Sequence, residues 1–169
     1  RGAIYHHFDS KDAIIKAVTR RLFLQDEYFE TLEMRDDLNG QEKLQVALMD
    51  TIMSEDVQKY ASSGYALLKN PRFYLEYMKV NAEVISPQVE KLIELGNKDG
   101  SMSVKYPKYV AEVIVLLLTG WYVSAIYPVS IEEFFDKLEA TQHIFESIGV
   151  SVFSDEFLKT LKEYERESK

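Results

Sequence analysis

The chain is expected to fold as an all-α protein, and three observations carry that expectation. Apolar residues recur at helical spacing along most of the 169 residues. No stretch alternates apolar and polar side chains in the period of a strand. The 7 glycines and 4 prolines punctuate the chain instead of filling it. Hydrophobic residues make up 46 %, enough for a sizeable buried core. The length suits one large domain or a small head on a main domain. Neither an internal repeat nor a low-complexity linker interrupts it.

Ser10 is an N-cap before Lys11 and Asp12, and a long helix is expected from there to about Met34, with Ile14, Val18, Leu22, Phe29 and Leu32 at helical spacing. A turn follows over Asp36 to Gly40. The next helix, Gln41 to about Val57, carries Leu44, Leu48 and Ile52 on one stripe. A shorter helix is placed at about 58–68. Asn70 and Pro71 open another that runs toward Gly96, with a kink at Ser86–Pro87 where proline removes a backbone donor. Asn97 to Ser103 reads as a loop. Tyr106 to about Tyr127 is the most apolar helix, and no charge occurs from Val113 to Ile131, close to membrane-spanning length. Thr119, Gly120, Ser124 and Pro128 break that run, so a buried helix is expected and no membrane partner. Ser130 caps a helix bearing Ile131, Phe134, Phe135, Leu138, Phe145 and Ile148, and Ser154 caps the last one, with Phe157, Leu158, Leu161 and Tyr164.

The chain has no cysteine, which excludes disulfides, thiol catalysis and cysteine–zinc sites and fits a reducing, cytoplasmic setting. No basic-then-apolar leader opens it. The net charge of −8 opposes nucleic-acid binding by the molecule as a whole, but its distribution is uneven. Arg1, Lys11, Lys16, Arg20 and Arg21 face only Asp9 and Asp12 over the first 21 residues, so a basic start sits on an acidic body.

The informative stretch is Arg1-Gly2-Ala3-Ile4-Tyr5-His6-His7-Phe8-Asp9-Ser10-Lys11. Ile4 and Phe8 lie four apart and share a face, which suits anchoring in a small core. Arg1, Gly2, Ala3, Tyr5, His6 and His7 are left for other faces. Small Gly2 and Ala3 allow deep entry into a major groove, Arg1 has the geometry to read guanine, and Tyr5 with a histidine suits phosphate oxygens. Ser10 and Lys11 open the following helix, whose free amides and partial positive charge attract phosphate. The alternatives are a core role for Tyr5 and Phe8, an ordinary solvated Lys11, and a metal role for His6 and His7. Adjacent residues diverge on a helix, and no third ligand has the right spacing, so no metal or cofactor is expected.

Gly2, Ile4, Tyr5, Phe8, Ser10 and Lys11 resemble the end of the TetR-family helix-turn-helix, a match of about 20 residues when Ile14, Ile15 and Val18 are counted. The resemblance implies residues 1–35 as the end of a DNA-binding head with its connecting helix, and 36–169 as a multi-helix ligand-binding and dimerisation domain. It also implies that two head helices precede Arg1, so the chain as written holds an incomplete head. The expected function is a ligand-responsive transcription regulator, a repressor in the usual direction, that binds a palindromic DNA operator as a homodimer.

The body shows no Gly-rich phosphate loop, no His–Glu metal motif and no serine-nucleophile elbow, so no enzyme is expected. His143 reads as a packed or interface histidine. Aromatic and methionine residues crowd the middle helices, and a few polar groups fall among them. For most the plain reading is core, but an apolar pocket with placed polar groups is how a small-molecule site looks. Met53, Tyr60, Tyr77, Asn81, Thr119, Trp121 and Tyr122 are the expected contacts for a small hydrophobic or amphipathic effector, and TetR-like proteins hold their pocket among the equivalent helices. The helices at about 106–127 and 131–148 are the expected dimer surface, through Gly120, Phe134, Leu138, Gln142, Phe145 and Ile148. They would make a four-helix interface of the TetR-like kind. The competing reading is an all-helical small-molecule or protein-binding module without a DNA role.

Overall fold

The computed structural model describes residues 10, 13–14, 16–17, 26–53, 69–122 and 126–167, and every regular element among them is helical. The protein is all-α, as its periodicity requires. Among the described residues no helix is long and apolar enough to cross a membrane.

Local capping chemistry starts most of the helices. The Ser10 hydroxyl accepts the Ala13 amide at 3.0 Å and its carbonyl takes the Ile14 amide at 3.2 Å, so the expected cap is in place. The far end of that expected helix is α1, Asp26–Glu33. Asn39 then caps α2, Gly40–Met53: its side chain accepts the Glu42 amide, and Glu42 returns the bond to the Asn39 amide, both at 2.9 Å. The expected continuation to Val57 and the short helix at 58–68 lie outside the described residues.

Asn70 accepts the Arg72 and Phe73 amides and opens α3, Pro71–Val80. A π-helical turn, Asn81–Ile85, joins α3 directly to α4, Ser86–Asp99. This turn directly precedes the Ser86–Pro87 step where a kink was expected, and Pro87 explains it. A proline there offers no amide to the Glu83 carbonyl and its ring crowds that group. Widening the preceding turn, so that the Ser86 amide reaches back to the Asn81 carbonyl, shifts the hydrogen-bond register without breaking the helix. α4 also runs past its expected end at Gly96. It stops where Gly100 takes a left-handed φ of 84°. Asn97, read as loop, is helical, and its side chain pairs with both the amide and the carbonyl of Val104, at 2.8 and 2.9 Å, to hold the returning chain.

α5, Pro107–Leu116, ends in a second π turn, Leu117–Trp121, and not near Tyr127. The Thr119 hydroxyl bonds the Val115 carbonyl at 2.7 Å, the back-bond that loosens a helix from within. α6, Ile131–Glu146, starts in a reciprocal box between Ser130 and Glu133, and Ser154 accepts the Phe157 amide to open α7, Asp155–Glu167.

α4 sits between α2 and α5 and packs on both. The core joins Leu44 and Leu48 of α2, Val89, Leu92 and Ile93 of α4, and Ala111, Ile114 and Val115 of α5. Leu138 and Phe145 of α6 and the Val150–Phe153 segment close it.

Candidate functional site

Seven side chains were expected to bind DNA: Arg1, Gly2, Ala3, Tyr5, His6, His7 and Lys11. All lie outside the described residues, and only Ser10 of that motif is described. Three contacts hold α1 and its end to α2 and α4. The Tyr28 phenol donates to Asp50 at 2.6 Å, and burial with that acceptor pushes it above its usual range. The Lys43 ammonium donates to the Glu33 carbonyl at 2.8 Å. The enclosed Glu33 Oε1 makes no hydrogen bond and has the Lys91 ammonium at 3.6 Å.

The expected effector contacts gather at the two π turns. Asn81 opens the first, Thr119 and Trp121 belong to the second, Tyr122 caps it, and Tyr77 lies one helical turn before Asn81. Met53 is the last residue of α2, and Tyr60 lies outside the described residues. Asn81 and Thr119 each make a bond within their own helix. Asn81 is buried and its Nδ2 donates one hydrogen to the Tyr77 carbonyl at 2.8 Å, while the buried Thr119 hydroxyl donates to the Val115 carbonyl. The crevice between Leu48, Ile114, Tyr122 and Phe153 holds about 10 Å³, room for about one water.

The aromatic side chains do converge. The Tyr74 phenol donates to the Thr119 carbonyl at 3.3 Å, tying α3 to the second π turn. Trp121 meets Tyr122 edge-on at 5.9 Å, and Tyr122 meets Phe134 at 6.0 Å. Lys137 of α6 enters this cluster, a residue the sequence reading passed over. Its ammonium lies 5.0 Å from the Trp121 ring and 5.6 Å from those of Tyr122 and Tyr127, and it donates to the Trp121 carbonyl. The side chain is 7 % exposed, and desolvation holds its pKa below the usual lysine range. A signal was available: Lys137 falls in the register of Phe134, Leu138, Thr141 and Phe145, the inward stripe of α6.

Tyr122 joins the second π turn to α6. Its hydroxyl lies 2.6 Å from that of Thr141, and burial pushes the phenol up to about 12, against the downward pull of the Thr141 bond. The unfolded phenol ionises near 10. Stability from burying the neutral form is therefore complete below pH 10 and lost as pH rises toward 12. Urea titrations across that window should show Tyr122→Phe flattening the fall in stability. An unchanged slope would remove Tyr122 as its source.

The expected dimer residues need correction. Leu138 and Phe145 are 1 % exposed and belong to the core of one chain, because the inward stripe of α6 closes over α2 and α5. Gln142 is buried as a clamp: its Oε1 accepts the Phe153 amide at 2.9 Å and its Nε2 donates to Ser151 at 3.0 Å. Gly120 is buried with Tyr74 Oη 3.6 Å from where a Cβ would sit, and Phe134 packs on Tyr122. Ile148 alone of the six stands open. His143 is exposed, not packed, with Glu146 at 3.9 Å. Outward apolar residues on these two helices include Tyr109, Val113 and Leu116 on α5 and Ile144 on α6, with Ile148 just beyond its end.

No protein-family model and no curated protein sequence matches the chain.

Proposed function

We propose that the chain is part of a ligand-responsive, DNA-binding transcription regulator that works as a homodimer in the cytoplasm. The observation that carries this reading is the Ser10 cap. It comes just after Gly2-Ala3-Ile4-Tyr5-His6-His7-Phe8-Asp9, and Lys11 is the next residue in sequence, so the free amides of a capped helix start and a lysine would together suit a DNA phosphate. The basic start on an acidic body supports it.

A palindromic site needs two heads about 34–36 Å apart, so something in the body must pair them. Tyr109, Val113 and Leu116 suit that role, being 62 %, 45 % and 53 % exposed and sharing one face of α5 by their spacing. Effector binding at the aromatic cluster would favour one body conformation over another. The contacts of Tyr28 and Glu33 with α2 and α4 are the joint through which the connecting helix would follow.

The test is DNA binding by the product of the full reading frame. Affinity for a selected palindrome should fall steeply with salt, and Lys11→Ala should reduce that slope by about one. Leu116→Glu should keep the helical circular dichroism, halve the mass in sedimentation and weaken palindrome binding more than about tenfold. A product with no salt-sensitive binding to any DNA pool would return the helical module without a DNA role.

A further inference from the structure

The described part of the chain buries two lysines, Lys43 and Lys137, and their surroundings differ. Lys43 lies near carboxylates, and it helps hold Asp37 and Asp99 below the usual carboxylate range. Among the described residues no carboxylate pairs with Lys137, and desolvation alone moves its pKa. Three ring faces and the carbonyl of Trp121, at the end of a helix, surround its ammonium. Ring quadrupoles and the partial negative charge of a helix end offset part of a unit charge. A buried cation ordinarily also has an anion beside it.

We propose that Lys137 with Trp121, Tyr122 and Tyr127 is the anchoring end of the effector site, and that the effector is an amphipathic organic anion, a carboxylate on an apolar body. This rests on the ligand-responsive reading above and names its ligand class. The carboxylate supplies the missing counter-charge and accepts the ammonium protons that Trp121 leaves unused. Tyr127 is 53 % exposed and is the ring that would yield on entry, and Ile126 and Val129, close to it in sequence and also exposed, offer apolar surface for the body of the ligand. An organic cation is disfavoured. The ring faces it would seek already serve Lys137, and it would meet a like charge there.

Trp121 is the single tryptophan of the chain, so its fluorescence reports on this site without DNA. The 169-residue chain should be titrated, below micelle-forming concentrations, with decanoate, decanol and decyltrimethylammonium. Decanoate should give a saturable change and bind at least about tenfold more tightly than the other two. Lys137→Gln keeps a donor for the Trp121 carbonyl but no charge, and should cost decanoate that tenfold while leaving decanol unchanged. Lys137→Arg keeps the charge and should stay within about threefold of the parent. The proposal is overturned by equal or tighter binding of the cation, by a Lys137→Gln variant of native circular dichroism with undiminished decanoate affinity, or by no saturable response to decanoate. Decanoate binding by a protein without DNA binding would sink the regulator reading alone. DNA binding without a decanoate response would sink this inference alone.

Discussion

Phe145→Asp is expected to unfold the chain, whereas Ile148→Asp, one turn further on, leaves it folded. The Phe145 ring is 1 % exposed and packs in the core under α2 and the Val150–Phe153 segment, while Ile148 is 45 % exposed. Truncating a buried phenylalanine costs about 3–5 kcal/mol, and an unpaired carboxylate in its place adds several more. That total rivals the roughly 5–15 kcal/mol that holds a domain together. Circular dichroism and urea titration of both variants read the contrast directly. A folded, monomeric Phe145→Asp would instead place the ring in a contact between copies, as the sequence alone suggested.

What the sequence made legible was local. Ser10, Asn70, Ser130 and Ser154 cap helices where expected, because a cap needs only one side chain and an amide two or three residues on. The all-α class followed from the same short-range periodicity. What covers a helical face is decided by distant chain, and there the reading failed. Phe134, Leu138 and Phe145 were assigned outward together with Ile148, but the body closes over Leu138 and Phe145, half covers Phe134 and leaves Ile148. The open face of α5 was hidden for the converse reason, since an uncharged run gives no hint of which side stays wet.

The partners of polar residues were the least legible part of the sequence. Asn81 and Thr119 looked like placed ligand contacts in apolar surroundings. Each bonds a carbonyl one turn back, and each lies in a π turn, so each has a structural role within its own helix. Lys137 was passed over. Its four methylene groups let it follow the inward stripe of α6 while the ammonium finds a carbonyl and ring faces. Trp121 and Tyr122 were singled out from the sequence, and the cation that lies over their rings was not.

Gly40→Ala is the second large effect expected, and it comes from backbone meeting backbone. The start of α2 crosses the end of α4 so closely that a Cβ on Gly40 would lie 2.1 Å from the Gly96 amide nitrogen and 2.4 Å from its Cα. No rotamer change relieves this, because main-chain atoms cannot swing aside, so the helices must part. The crossing also carries hydrogen bonds: the Gly40 amide donates to Asp99 at 2.6 Å and the Gln41 amide to Ser101 at 3.1 Å. Parting the helices strains both bonds and loosens Leu44 from Leu92 in the core. Against this, alanine gains at most about 1 kcal/mol of helix propensity over glycine. A net loss of about 3 kcal/mol follows from overpacking of this severity. For a chain of this size that lowers Tm by roughly 6–12 °C. Gly100→Ala supplies the comparison, since a Cβ there meets nothing within 4 Å and only the left-handed φ of 84° resists it. Its cost should be about 1 kcal/mol. Thermal melts of the two variants should therefore rank Gly40→Ala well below Gly100→Ala, and equal or reversed losses would show that α2 and α4 do not cross at glycine contact.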